Sequence, residues 1–359
     1  METLREKIAQ MFLVGCQGES LSHDEQLIFA EYRFGGFILF RTNCGEPTQI
    51  LALCHSLWES ADEIPPFIAI DQEGGKVHRL PEPFTHFPAA ARIGAERNTD
   101  LAYRLGRATA EELKLVGINL NFAPVLDVNS NPTNPIIGDR AFSADPNEVA
   151  EIGSAWTRGL RAGGIIPCGK HFPGHGDTER DSHLELPTVT KSWEELKSVE
   201  LQPFAHACRN QIESLMTAHV LYPALDPTLP ATLSEPIITG LLRRQLGYDG
   251  VVFSDDLEMK AVSDNYGVEE SASLAVEAGV DVLLFCHDID KAIQAFESLC
   301  REAKQDPVVR AHIENRFRRV AKLKRRYLKK FTGVKKNEIA ARLVEMGHQR
   351  LIDVFHGNL

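Results

Sequence analysis

Hydrophobic positions along the chain gather into short runs rich in β-branched or aromatic residues, separated by longer stretches where apolar residues recur at helical spacing. The runs are Met11 to Cys16, Gly35 to Phe40, Phe67 to Ile70, Ile118 to Ala123, Ile165 to Cys168, Ser214 to Ala218, Gly250 to Ser254 and Val280 to Phe285. Each has the length of one strand, and most lack polar alternation, as parallel strands covered on both faces should. Helices are expected over Leu21 to Arg33, Pro47 to Ala61, Thr99 to Leu115, Pro146 to Ala162, Ser192 to Arg209, Ser234 to Leu246 and Val268 to Ala278. Ser192 followed by Glu195 has the form of a capping box, which marks a helix start.

A βα alternation repeated this often predicts an α/β fold closed as a (β/α)8 TIM barrel, although the count alone leaves an open doubly wound sheet possible. At 359 residues one decorated barrel suffices. A single domain is expected, with the barrel over about 5–305 and a C-terminal helical extension over about 307–359 packed outside its core. Two connections exceed what a barrel requires, Asp71 to Val116 and Lys170 to Thr190. Long excursions after strand ends carry function, because such barrels place their sites at the C-terminal face.

A formal charge of −11 gives no footprint for a polyanion, so nucleic acid is not expected as a partner. The most basic stretch, Arg316 to Lys336, is interrupted by Val320, Leu323 and Leu328 and reads as the solvated face of a helix. Seven cysteines form no CxxC pair, which argues against a disulfide framework or a zinc site and for a reducing compartment. The apolar run near the N-terminus is too short for a secretory signal, and no stretch approaches the roughly 18 apolar residues of a membrane span. A cytoplasmic monomer is expected, with no membrane partner.

Polar residues collect just after the expected strands: Asp71 to Gly75 and Arg79 after the third, Asp127 and then Arg140 after the fourth. Lys170 to Gly176 and Asp181-Ser182-His183 follow the fifth, His219 the sixth, Asp255-Asp256 the seventh, and His287-Asp288 the eighth. Such a ring suits a polar ligand with many hydroxyls. His171, His175 and Asp181 are also a metal-ligand chemistry, but Pro173-Gly174 breaks the helix that a helical zinc motif needs, and loop histidines can simply satisfy backbone groups. Asp181 and His183 stand two apart, so in extended chain the carboxylate can orient the imidazole and favour its charged form for proton transfer. Of Asp255 and Asp256, strand alternation sends at most one toward the barrel axis; either can instead cap the following helix.

The segment KHFPGHGDTERDSHLELP, Lys170 to Pro187, closely resembles the signature of family 3 glycoside hydrolases, specifically the bacterial β-N-acetylglucosaminidases of the NagZ type. AIDQEGGKVHRL from Ala69, NFAPVLDV from Asn121, IIGDRAFSADP from Ile136 and GVVFSDDLEMKAV from Gly250 match in the family's order. The resemblance implies that Asp255 is the nucleophile and that Asp181 and His183 form the acid/base dyad. It further implies that Asp71, Arg79, Arg140, Lys170 and His171 bind the sugar. A retaining two-step hydrolysis through a glycosyl-Asp intermediate would follow, with no metal or organic cofactor. The implied substrates are N-acetylglucosaminyl-anhydromuramyl peptides from peptidoglycan recycling. Because a histidine replaces the usual acid, phosphate is an alternative acceptor to water. Outside this class stand a non-catalytic sugar-binding barrel and a metal-dependent hydrolase. Gly174 and Gly176 suggest a mobile loop that carries His183.

Overall fold

The computed structural model describes residues 2–61, 63–179, 182 and 185–356. Among them, parallel strands close into a barrel in chain order: β1 (Phe12–Gly15), β2 (Gly36–Leu39), β3 (Phe67–Ile70), β4 (Leu120–Asn121), β5 (Ile166–Phe172), β6 (Ser214–Thr217), β7 (Val251–Asp256) and β8 (Val282–Phe285). Leu13 pairs with Gly36 on one side, and Phe12 pairs with Leu283 to close the ring. Every expected run supplies one strand.

Alternation along each strand sends successive side chains to opposite sides. Leu13, Ile38, Phe67, Phe122, Met216 and Leu284 fill the interior, while Phe12, Val14, Phe37, Ile68 and Leu283 pack outward against the helices. Both sides are apolar, which is why the runs show no polar alternation. The helices are defined by their ends. Ser22 with Glu25 and Ser192 with Glu195 form reciprocal capping boxes, and Asp145 caps the helix that opens with Pro146. That helix stops at Gly164, where φ is +90°, a conformation that suits glycine.

Three departures from the expected pattern have physical causes. The helix expected over Ser192 to Arg209 breaks into Trp193–Ser198 and Leu201–Arg209. Between them Glu200 turns fully inward, where its carboxylate takes Lys191 Nζ at 2.6 Å and Ser130 Oγ at 2.9 Å. Strand β5 continues through Phe172, so Lys170 and His171 are strand residues, not loop residues.

The helix Pro307–Tyr327, expected outside the core, instead closes the N-terminal end of the barrel, where Val320 and Leu323 join the interior cluster. Lys324 is buried there, donating to Gln10 Oε1 at 2.6 Å and to the Gly35 carbonyl at 2.5 Å, with Nζ 4.6 Å from the Phe67 ring centre. Arg316 is buried as well, so the basic stretch is solvated on part of its surface only. With that end plugged, the mouth at the strands' C-terminal ends is the open face.

Candidate active site

A pocket of about 400 Å³ sits at the C-terminal ends of the strands. Ile38, Phe122, Met216 and Leu284 belong both to its lining and to the barrel's interior cluster, so the pocket ends blind on packed core. Asp71, Arg79, Arg140, Lys170, His171 and Asp255 all line it.

One wall is an ionic clamp. Lys170, reaching in from β5, places Nζ 2.6 Å from Asp71 Oδ1 and 2.7 Å from Glu73 Oε1. Arg140, from the short turn Gly138–Arg140, grips Glu73 through Nε at 2.9 Å and Nη2 at 2.8 Å. The side chains of Lys170 and Glu73 are only 3% and 5% exposed, so water screens these pairs little. Burial alone would raise the carboxyl of Glu73, but Arg140 and Lys170 outweigh it and hold the group well below the usual carboxylate range. Burial likewise works to lower Lys170, and Asp71 and Glu73 overcome it, so the ammonium stays charged. The result is a fixed set of cations and acids that can grip sugar hydroxyls.

Asp127 organises the neighbouring segment. Its fully buried carboxylate accepts the Nδ1–H of His171 at 2.7 Å and the backbone N–H of His175 at 2.7 Å. That fixes the tautomer of His171 and leaves its Nε2 for the pocket. Burial opposes the charge on Asp127, yet His171 and His175 keep its carboxyl below the ordinary value. His175 is pushed down to about 4, by burial and then by His171, and stays neutral between Thr178 Oγ1 at 2.9 Å and Ser182 Oγ at 3.1 Å. Gly176 has a packing reason: a Cβ there would lie 1.6 Å from the Val128 carbonyl oxygen. Close approach therefore requires glycine at this point of the loop.

Strand β7 delivers both adjacent acids. Strict alternation would turn one of them away, but the register between β7 and β8 shifts between Phe253 and Asp256, and Asp255 and Asp256 both line the pocket. Neither acid caps the following helix, Lys260–Ser263, whose N-cap Met259 makes no side-chain cap; Asp256 instead braces the turn after β7, accepting N–H groups from Glu258 at 3.1 Å and Cys286 at 3.3 Å. Burial is the largest influence on Asp255 and works upward, but His219, His171, the N–H of Asp256 and Lys170 together hold its carboxyl below normal. Asp255 is thus a charged carboxylate with its negative end free for chemistry. Asp256 is the reverse: burial, then the charge of Glu258, raises it to about 7.

The structure therefore gathers Asp71, Arg140, Lys170, His171 and Asp255 around one cavity, with Arg79 on its side wall. Asp181 and His183 lie outside the described residues. Ser182, between them, accepts the Ala261 N–H on its carbonyl at 3.3 Å, beside the end of β7. Glu73 and Asp127 stood in the ring of polar residues without a role. Their signal was position, since an acid just past a parallel strand must find cations or donors to be buried at all.

Residues 3–323 match the model of the glycosyl hydrolase family 3 N-terminal domain. A β-hexosaminidase of Alkalilimnicola ehrlichii is 40% identical over 281 residues, 77% of this chain and 80% of that protein. Among solved structures, a family 3 β-N-acetylglucosaminidase of Paenibacillus sp. strain FPU-7 superposes with a TM-score of 0.89 at 40% identity, covering 96% of this chain and 69% of that one. NagZ of Neisseria gonorrhoeae, solved in complex with N-trifluoroacetyl-D-glucosamine, gives a TM-score of 0.79 at 31% identity over 97% of each chain.

Proposed function

The chain belongs to glycosyl hydrolase family 3 and is a β-N-acetylhexosaminidase; we propose that Asp255 is its nucleophile and that muropeptides of the N-acetylglucosaminyl-anhydromuramyl type are its substrates. The observation that carries this reading is a blind pocket with an ionised carboxylate, Asp255, at the end of β7 and the Asp71–Lys170–Glu73–Arg140 clamp on β3 to β5. A pocket that ends on barrel core accepts the terminus of a glycan and not its middle, hence exo action. The sugar's hydroxyls meet Asp71, Lys170, Arg140 and His171, and Arg79 donates from the side. The ligand seen in the gonococcal relative is an N-acylated glucosamine, which fits the same choice of sugar.

The reaction proceeds in two displacements. Asp255 attacks the anomeric carbon while His183, oriented by Asp181, protonates the departing oxygen, and positive charge builds up in an oxocarbenium-like transition state. His183 then takes a proton from water, and the hydroxide displaces Asp255 with overall retention. Proton transfer of this kind contributes about 10²- to 10⁴-fold. Water is the acceptor, and neither a metal nor an organic cofactor takes part. Proton NMR of early turnover tests the scheme. The first-formed free sugar should be the β anomer, with no sugar 1-phosphate when phosphate is added; an α anomer or a phosphorylated product contradicts it.

A further inference from the structure

The C-terminal extension meets the barrel at a charged junction. Its helices Ile339–Met346 and Gln349–Ile352 bury Ile339, Leu343 and Ile352 in the core cluster, and Phe355 follows them in. Between the helices stands His348, buried, with Nδ1 3.1 Å from Glu112 Oε1 and Nε2 3.1 Å from Glu111 Oε2. Both acids belong to the helix Thr99–Leu115. A carboxylate only accepts hydrogen bonds and a neutral imidazole has one N–H, so a neutral ring would turn a bare lone pair onto a carboxylate oxygen. Two contacts of this kind need the doubly protonated ring. Burial works to lower His348, but Glu112 and then Glu111 outweigh it and raise the group above its ordinary value. Arg107 stands behind Glu111, with Nε 2.8 Å from its Oε1.

The same junction reaches the barrel mouth. Glu112 Oε2 accepts the N–H of Thr85 at 2.9 Å, and Thr85 lies in the connection after β3 that also carries Asp71, Glu73 and Arg79. Two residues on, the Phe87 carbonyl accepts the N–H of Gly75 at 2.9 Å, beside the clamp acid Glu73. Arg92, on the helix that ends this connection, donates to the Phe355 carbonyl of the extension. Gln349, next to His348, lines a cavity of about 640 Å³ with Lys76, His78, Glu82 and His86 of the same connection and Arg41 from the turn after β2. His348 is therefore a charged link between the extension and the loop that builds part of the sugar clamp.

We propose that the extension is a pH-released strap: the imidazolium of His348 fastens it to Glu111 and Glu112, and loss of that proton frees the strap and loosens the mouth loop with it. The fastening is complete below the ring's unfolded value of about 6.5 and is lost as pH rises through the higher folded value. Once the proton has gone, a buried carboxylate faces a lone pair, which is costly, and only the extension's few apolar side chains hold it down.

Glu112→Gln separates this device from a merely structural contact. Its amide keeps the Thr85 N–H on oxygen and offers an N–H to the ring, so a neutral His348 stays fastened. Hydrogen exchange read by mass spectrometry, corrected for the intrinsic pH dependence of exchange, follows both segments. From about pH 6 to about pH 9.5, wild type should lose about 10-fold in protection over residues 339–356, as for one hydrogen bond to a charged group, with a smaller parallel loss over 80–88. Glu112→Gln should keep its protection across that range, and His348→Leu should lack it over 339–356 even at the acid end. KM for an N-acetylglucosaminide should climb with pH more steeply in wild type than in Glu112→Gln. Protection in wild type that is level with pH, an equal pH dependence in Glu112→Gln, or a fastened extension in His348→Leu overturns the strap. A loss confined to 339–356, or equal KM slopes, overturns its reach to the mouth.

Discussion

Replacing Glu73 by Gln keeps the shape of the clamp and removes its central charge. The carboxylate accepts two hydrogen bonds from Arg140, at 2.9 and 2.8 Å, and faces Lys170 Nζ at 2.7 Å. The amide retains one acceptor oxygen and turns an NH2 group toward a cation, so at least one charge-assisted bond, worth about 1.5–3 kcal/mol, is lost. Lys170 then keeps only Asp71 and Arg140 loses its paired carboxylate among the described residues, and breaking a buried ionic pair on one side typically costs about 3–5 kcal/mol. Some of this is recovered as the cations shift, which gives an expected loss of about 3 kcal/mol in stability. The displaced cations should also lower kcat/KM about 100-fold, since each factor of ten corresponds to about 1.4 kcal/mol. The folded carboxyl of Glu73 lies below its unfolded value of about 4.3. Its contribution is therefore complete above that value and fades as pH falls through the folded pKa. Urea unfolding of wild type and variant should show the full gap at pH 7 and a smaller one below about pH 4. A gap under about 0.5 kcal/mol at pH 7, the range of ordinary surface substitutions, or one that widens in acid, refutes the assignment of Glu73 as the clamp's centre.

Asp256, raised to about 7, holds a proton in the folded state that the unfolded chain releases near 3.9. Wild-type stability should therefore decline relative to Asp256→Asn as pH rises from about 4 to 7, by up to about 1.4 kcal/mol per unit; urea unfolding at matched pH values reads it, and a constant difference contradicts it. Lys324 at the barrel's plugged end is driven by burial well below its ordinary value, so the unfolded chain binds the extra proton. Stability should rise with pH until about 10.4, and Lys324→Met should flatten that slope; an equal slope in both proteins would show that the lysine stays charged in the barrel.

The barrel was legible because its strands are buried on both sides: runs such as Phe67 to Ile70 coincide with β3 residue for residue. Local rules did less well where tertiary contacts decide. Glu200 splits a helix because Lys191 and Ser130 wait for its carboxylate in the interior. Lys324 sits in a basic stretch that reads as a solvated face, yet it is satisfied beneath the barrel by Gln10 and Gly35, which lie far away in the chain. In the site, acids and cations standing just past strand ends marked most of the pocket. What they did not reveal was which acids support others. Glu73 matters through Arg140 and Lys170, and Asp127 through His171 and His175, pairings that only the closed barrel creates. Alternation also misjudged Asp255 and Asp256, because a register shift beside β8 turns both to the pocket.

The most direct test of the central claim is to trap the covalent intermediate. Incubation with a fluorinated N-acetylglucosaminide that forms the glycosyl-enzyme quickly and releases it slowly, followed by digestion and peptide mass mapping, should place the added sugar on Asp255 within the β7 peptide. A sugar found on Asp256 or any other residue, or none where turnover is shown to continue, would contradict the account.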